Sequence, residues 1–233
     1  SPVYLRIKQM KRISGIFHLI PILLIFIIFI FPLLKPGLIV GGDWTFPATN
    51  SQLRVFAEEA KSLWSIREIP TGSQISHQNL YLLQKLASLW ADTGLDGISF
   101  QKTILFITLF GIYFFSYIFF FRLTKNKFSS TVGALSYLFS PLVFNYLNMG
   151  WNYVLLFLAL QPLFCLLAYD YFKIGGIKRI IALGFISAIG LFQSQSIIWF
   201  LILYLILFLN QFKFSNIKQI ATKFILGIFA IIV

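Results

Sequence analysis

Long apolar stretches with almost no charge dominate this sequence. Four of them approach the roughly 20 residues that an α-helix needs to cross about 30 Å of hydrocarbon, and they span 16–34, 103–121, 128–147 and 153–172. Hydrophobic residues make up 58% of the chain, so a soluble fold would lack the polar surface that it needs. We therefore predict an all-α fold, a polytopic transmembrane helical bundle.

A fifth apolar stretch, 180–212, is too long for one ordinary span, and the polar run Gln193–Ser196 interrupts it. This pattern predicts two short spans, 180–193 and 197–212, joined outside the membrane. Apolar residues then resume at 224–233, which we interpret as the start of a seventh span.

Both ends of the sequence bear on its organisation. The chain opens at Ser1 rather than at methionine and stops at Val233, inside an apolar run. The apolar core of the first span is too long for a cleaved signal peptide, and no cleavage pattern of small residues follows Leu34. We expect one transmembrane domain over 1–233 that forms the N-terminal part of a longer protein and keeps its first span as an anchor.

The basic residues alternate between the predicted connections. Thirteen of the 19 lysines and arginines lie in four groups that pairs of predicted spans separate, at 6–12, 122–127, 173–179 and 213–223. Because cytoplasmic loops carry the excess of Lys and Arg, we predict a multi-pass protein of the inner (plasma) membrane with a cytoplasmic N-terminus. The net charge of +12 then reflects orientation and contact with membrane lipid, and we expect no nucleic-acid partner.

The segment 35–102 becomes the long first extracytoplasmic loop, where six basic residues balance six acidic ones. From Asn50 to Trp64, apolar residues recur at three- and four-residue steps, with Thr49 or Asn50 as the cap. A second stretch, 78–90, has the same periodicity, and Ser76 is a plausible cap. We therefore expect two amphipathic helices that lie on the outer membrane surface.

A lone acid follows the first span in Gly41-Gly42-Asp43-Trp44-Thr45-Phe46-Pro47. Its position, the long outer loop and the run of further spans resemble the GT-C superfamily of integral-membrane glycosyltransferases. The segments 134–141 and 160–163 are also similar to the third and fourth spans of bacterial arabinosyl- and mannosyltransferase-like members. In many members two acids are adjacent, whereas Trp44 follows Asp43 here.

The resemblance implies transfer of a sugar from a polyprenyl-phosphate donor to a glycan, lipid or protein acceptor outside the cytoplasm. Asp43 matches the position of the catalytic aspartate of the superfamily. Its carboxylate can take the proton of the acceptor hydroxyl, or hold a divalent metal ion (Mg²⁺ or Mn²⁺) against the leaving phosphate. Apart from the resemblance, an acid in such a turn can merely accept backbone hydrogen bonds.

Several polar residues are candidates for substrate binding. A cation for the donor phosphate can come from Arg54, Arg67 or Lys35. His77 is a further candidate, although a lone loop histidine is more often a surface residue. Predicted span ends that border the donor cavity carry the remaining candidates, Asn152, Gln193 and Gln195, which are alternatively local caps.

Two other function classes stay open from the sequence. A transporter or flippase of a lipid-linked or polar substrate usually has broken helices or ionisable groups near the midplane, and the predicted spans lack ionisable residues there. A non-catalytic membrane subunit is the other alternative, and it would tolerate replacement of Asp43. We favour the transferase.

Overall fold

A computed structural model of the chain describes residues 35–37, 47–58, 64–65, 73–74, 81–148, 152–190, 194–211 and 217–232. The predicted first span, 16–34, lies outside these residues. In this part of the chain the fold is helical apart from one antiparallel pair of two-residue strands, β1 (Trp64–Ser65) and β2 (Ser73–Gln74). An all-α fold is therefore confirmed for the described residues.

The described residues form nine helices. Two of them lie in the predicted loop, α1 (Asn50–Glu58) and α2 (Tyr81–Asp92). The others follow as α3 (Gly97–Thr124), α4 (Lys127–Leu138), α5 (Pro141–Asn148), α6 (Asn152–Ile174), α7 (Ile177–Gly190), α8 (Ser194–Gln211) and α9 (Ile217–Ile232).

Some boundaries differ from the sequence expectations. Trp64 was predicted on the apolar face of the first loop helix, but it lies in β1, paired with Gln74. The apolar stretch 128–147 is not one helix, because α4 ends at Leu138 and Pro141 begins α5. Proline is well tolerated at the first position of a helix but disfavoured in a helix interior. A helix break just before Pro141 is therefore expected.

Within the described residues, two helices are long and apolar enough to cross a membrane. They are α3 and the part of α6 from Val154 to Ile174, and a shorter apolar segment spans Ile198–Leu209 in α8. The α3 helix exposes a row of large apolar side chains that includes Phe106, Phe110 and Phe114. Such a row costs free energy in water and none in hydrocarbon.

Small polar side chains lie in the interior of the helical bundle. Thr108, Ser116 and Ser187 are buried, and the Ser187 hydroxyl donates a hydrogen bond of 2.8 Å to the Leu183 carbonyl of its own helix. Apolar side chains outside and small polar side chains between helices form the distribution expected of helices packed in lipid.

The central helix of the bundle is α6, which packs against α3, α5, α7, α8 and α9. Aromatic contacts fill its interface with α8, where the Phe164 and Phe200 rings stack at 4.3 Å and the Phe172 and Tyr204 rings lie 4.7 Å apart. These rings belong to the main hydrophobic core. Aromatic burial of this kind contributes both area and ring–ring attraction.

The helix directions follow from contacts at the two ends of α3 and α6. Phe100 and Val154, near the starts of these helices, belong to one hydrophobic cluster. Near their other ends, Arg122 and Asp170 form an ion pair of 3.2 Å. The two helices therefore run in the same direction, and α7 returns in the opposite direction through the turn at Gly175 and Gly176, which have φ values of +78° and +106°.

Lysines and arginines collect at the end of the bundle where α3 and α6 finish. Among the residues whose side chains the structure describes, this end, called the basic end below, comprises Arg122, Lys125, Lys127, Lys173, Lys178, Arg179 and Lys223. Lys223 of α9 is tied to it by a 2.8 Å hydrogen bond from Nζ to the Phe172 carbonyl. Three groups that are far apart in sequence thus lie at one end.

Candidate functional site

The opposite end of the bundle carries the loop helices. There α1 and α2 pack on each other and on the start of α3, and they bury Leu53, Leu83, Ala87, Ala91 and Phe100 in one cluster. The Trp90 indole N–H donates a 3.2 Å hydrogen bond to the Ser99 hydroxyl. The loop helices are therefore fixed to the bundle by both apolar packing and hydrogen bonding.

The first loop helix begins with a reciprocal cap. The Thr49 hydroxyl accepts a hydrogen bond from the Gln52 backbone N–H at 3.2 Å, and the Gln52 side-chain oxygen accepts from the Thr49 and Ala48 N–H groups at 3.2 and 2.9 Å. This is the capping-box arrangement, with glutamine in the third position of the helix. Of the two predicted caps, Thr49 and Asn50, it is Thr49 that caps this helix.

Asn50 joins the two loop helices. Its side-chain amide donates to the Ala91 carbonyl at 2.9 Å and to the Leu95 carbonyl at 2.7 Å. Ala91 lies in the last turn of α2, where its carbonyl also accepts from the Gly94 N–H at 3.0 Å, and Leu95 lies in the connection to α3. A role in the turn after α2 was not foreseen for Asn50, because its partners are more than 40 residues away.

Arg54, the one predicted phosphate-binding arginine that the structure describes, already has protein partners. Its Nε donates to the Asn50 side-chain oxygen at 3.0 Å, and Nη2 donates to the Ala91 carbonyl at 3.2 Å. An exposed ion pair with Asp92 at 3.7 Å adds little. Arg54 thus stabilises the contact between α1 and α2, and a phosphate would compete with these partners.

The start of α3 is capped by Asp96. The carboxylate accepts a 2.8 Å hydrogen bond from the Ser99 backbone N–H, and this bond is the main reason that the pKa of Asp96 is lowered from its ordinary value of 3.8. The Ser99 hydroxyl lowers the pKa further. Asp96 therefore acts as a helix cap, which accounts for an acid at this position without a catalytic role.

Both described flanks of the segment that contains Asp43 are attached to the beginning of α3. On the N-terminal side, the Lys102 ammonium donates to the Lys35 carbonyl. On the C-terminal side, the Ala48 carbonyl accepts from the Gly97 and Ile98 N–H groups at 3.1 and 3.3 Å. Asp43 itself lies outside the described residues, and so do Arg67, His77 and Gln193.

Gly97 permits the C-terminal attachment. A Cβ at this position would overlap the Pro47 carbonyl oxygen, so any other residue would push the chain away from α3. The close approach brings Pro47, four residues after Asp43, against the first turn of α3. Glycine is required here by space rather than by a special backbone angle.

Two further candidates for substrate binding are at the starts of helices that begin at the same end of the bundle as the loop helices. Asn152 is the first residue of α6, and Gln195 is the second residue of α8. The Phe157–Phe200 and Phe164–Tyr204 ring contacts show that α8 runs in the same direction as α6, so the two helix starts share one end. The side chains of Asn152 and Gln195 lie outside the described part of the structure.

Buried glutamines near this end were not predicted. Gln84 of α2 and Gln101 of α3 are 1% and 3% exposed, and the side-chain amide nitrogen of Gln84 has no hydrogen-bond partner among the described residues. Gln84 is one helical turn from Ala87 and two from Ala91, on the packed side of α2. That spacing is the signal by which its burial could have been found.

Metal ligands are sparse where the structure describes the chain. No three His, Cys, Asp or Glu side chains in the described ranges lie close enough to hold a metal ion. The expected role of Asp43 with Mg²⁺ or Mn²⁺ concerns a residue outside those ranges and remains a prediction.

Comparisons of the chain with protein-family models, with curated proteins and with solved structures give no match.

Proposed function

We propose that this chain is a multi-pass membrane glycosyltransferase of the GT-C kind. It transfers a sugar from a polyprenyl-phosphate donor to a glycan, lipid or protein acceptor outside the cytoplasm. The observation that carries the proposal is the attachment of both flanks of the Asp43 segment to the start of α3. The loop helices pack beside this point, and the first residues of α6 and α8 lie at the same end of the bundle.

The orientation follows from the charge distribution. Since Lys and Arg are retained on the cytoplasmic side, the basic end faces the cytoplasm of the cell whose plasma membrane holds the protein. The loop helices and Asp43 then belong to the outer side. The two apolar helices and the exposed phenylalanines of α3 support a lipid environment.

The chemistry suits a carboxylate at that surface. In the proposed reaction the acceptor hydroxyl oxygen attacks the anomeric carbon, the bond from this carbon to the donor phosphate oxygen breaks, and polyprenyl phosphate leaves. Asp43 accepts the hydroxyl proton. In the alternative role, Asp43 would hold a Mg²⁺ or Mn²⁺ ion, which would supply charge stabilisation to the leaving phosphate.

The site also needs a cation for the donor phosphate. Arg54 is at the right end but would have to exchange its bonds to Asn50 and Ala91. Arg67 belongs to the same loop, and a guanidinium can bind a phosphate through two parallel hydrogen bonds, whereas the Lys35 ammonium acts as a point charge. We therefore assign the phosphate contact to Arg67 ahead of Arg54 and Lys35.

The decisive experiment measures sugar transfer from labelled polyprenyl-phosphate donors in membranes that carry the protein. Asp43→Asn should lower transfer by at least about 100-fold, the usual contribution of a general base, while donor binding is retained. Asp92→Asn is the matched control, because it removes an exposed acid from the same loop and should leave transfer unchanged.

The other outcomes discriminate between the function classes. Equal transfer by wild type and Asp43→Asn would remove Asp43 from the mechanism. No transfer by wild type with any donor, together with movement of a labelled lipid-linked substrate across the membrane, would replace the transferase by a transporter. Absence of both activities would favour a non-catalytic membrane subunit.

A further inference from the structure

The basic end combines a large excess of positive charge with exposed apolar side chains. Its seven cations face a single acid among the described residues, Asp170. Large apolar side chains lie between these cations in sequence. Their exposed fractions are 47% for Leu123, 64% for Phe128, 56% for Ile174 and 68% for Ile177. These four apolar side chains are exposed in the described part of the protein, and so are Lys125, Lys127 and Lys178.

Part of the charge has a structural use. Asp170 is bonded to Arg122 through the guanidinium Nε and Nη2 atoms, at 3.3 and 3.2 Å. Arg179 donates to the Gly175 carbonyl at 2.7 Å, and Lys223 donates to the Phe172 carbonyl. Cations bonded to carbonyls where α6 ends also complement the helix dipole.

A fourth cation, Lys173, has its Nζ 3.4 Å from the Tyr169 hydroxyl. Three lysines remain that have no such role among the described residues. Lys125, Lys127 and Lys178 are exposed and lie on the two described turns of the basic end. Lys125 adopts the left-handed conformation that closes α3, with φ of 55°. Its backbone N–H bonds to the Phe121 carbonyl, so the backbone is fixed while the side chain extends from the turn.

We propose that the basic end is a binding surface for the headgroups of anionic phospholipids in the adjoining leaflet. The cations contact the headgroup phosphates, while Leu123, Phe128, Ile174 and Ile177 lie in the acyl region just below them. This mixture fits a bilayer surface, because polybasic segments beside a membrane span attract anionic lipid and apolar side chains add buried area.

The exposed apolar faces of the long helices continue into this surface. The α3 helix leads from Phe106 through Phe114 to Leu123 with exposed apolar side chains along its length. A lipid whose tails lie along these helices therefore has its headgroup at the level of the basic end. Zwitterionic headgroups carry a compensating ammonium, so they should bind less tightly than anionic ones.

The test is a lipid titration of the purified protein in a neutral detergent, with bound lipid counted by native mass spectrometry. Phosphatidylglycerol and phosphatidylcholine of identical chains are the two probes. We expect wild type to bind phosphatidylglycerol at least about tenfold more tightly. The triple variant Lys125→Gln, Lys127→Gln, Lys178→Gln should lose at least about tenfold of that affinity, since each cation near the surface contributes about fivefold.

Lys125→Gln, which removes one charge from the basic end, is compared with a control that removes one charge from the opposite end, Lys85→Gln. The control should bind phosphatidylglycerol as wild type does. The variant Lys125→Arg, Lys127→Arg, Lys178→Arg should keep the affinity, which separates charge from any effect on folding. Equal affinity of wild type for the two lipids, or equal losses in the two single glutamine variants, would overturn the proposal. Sugar transfer is not measured, so the result is independent of the proposed enzymatic function.

Discussion

The break that Pro162 makes in the hydrogen bonding of α6 is repaired by Tyr137. Proline has no backbone N–H, so the Leu158 carbonyl, four residues earlier, loses its helical partner. The Tyr137 hydroxyl of α4 lies 3.0 Å from this carbonyl and 2.8 Å from the Gln161 side-chain oxygen. We therefore predict that Tyr137→Phe destabilises the bundle by leaving both groups without this hydroxyl.

The expected magnitude follows from the burial of these groups. An unsatisfied buried polar group costs about 1–3 kcal/mol in general, whereas side-chain hydrogen bonds between membrane helices average about 0.6 kcal/mol and reach about 1.7. We expect the free energy of unfolding to fall by about 1–2 kcal/mol in Tyr137→Phe. The Pro162→Ala variant restores an N–H for the Leu158 carbonyl, so Tyr137→Phe should cost only about half as much in that background.

The chain contains a suitable reporter for this measurement. Cys165 is its single cysteine and packs against the main core one turn after Gln161. Maleimide labelling of Cys165 during reversible unfolding in mixed micelles gives the free energy for each member of the double-mutant cycle. The control is Tyr169→Phe, whose hydroxyl has a 3.4 Å contact with exposed Lys173 and should matter little.

Two results would refute this reasoning. One is a Tyr137→Phe variant whose free energy of unfolding lies within about 0.3 kcal/mol of wild type, below the cost of an unsatisfied group. The other is a loss from Tyr137→Phe that is identical with and without the Pro162→Ala substitution, which would mean that the hydroxyl does not compensate for the proline.

Three further predictions concern single contacts. Hydrogen bonds lower the pKa of Asp96, so its carboxylate stabilises the fold above pH 3.8, the ordinary pKa, and this stabilisation is lost as the pH falls through the pKa of the folded state. Asp96→Asn should keep the cap and flatten the acid dependence of the thermal unfolding temperature. A Cβ at Gly227 would overlap the Tyr204 hydroxyl, so Gly227→Ala should cost about 1–3 kcal/mol, and adding Tyr204→Phe should recover part of the loss; no loss in the single variant would show that the ring moves freely. Arg122→Ala should lower the free energy of unfolding in mixed micelles more than Asp170→Asn does. Removing Arg122 leaves the Asp170 carboxylate, which is only 22% exposed, without its ion pair. A larger loss in Asp170→Asn would contradict this prediction.

Local sequence patterns were sufficient for several elements. The low charge of 103–121 and 153–172 predicted helices there, and both stretches lie inside helices, α3 and α6. Apolar spacing indicated the loop helices, and Thr49 was recognised as a cap because capping depends on neighbours three residues away. The roles of Asp43, Arg67, His77 and Gln193 stay predictions, since they lie outside the described residues.

Other features depended on residues that are distant in sequence. The ion-pair partner of Asp170 is Arg122, which lies 48 residues earlier in the chain. Arg54 stays a candidate for the phosphate, and its contacts with Asn50 and the end of α2 were not foreseen. No local pattern encodes such pairs, because helix packing alone decides which side chains meet.

The sequence by itself determined where apolar helices form and how charge is divided among their connections, because both depend on residue type and short-range periodicity. The alternation of basic groups with predicted spans also indicated that these groups share one end. Only the tertiary structure decided which side chains meet, namely Arg122 with Asp170, Lys223 with the Phe172 carbonyl, and Tyr137 with the carbonyl freed by Pro162. These outcomes depend on how side-chain shapes fit between helices, and that fit is a property of the packed bundle rather than of any one segment.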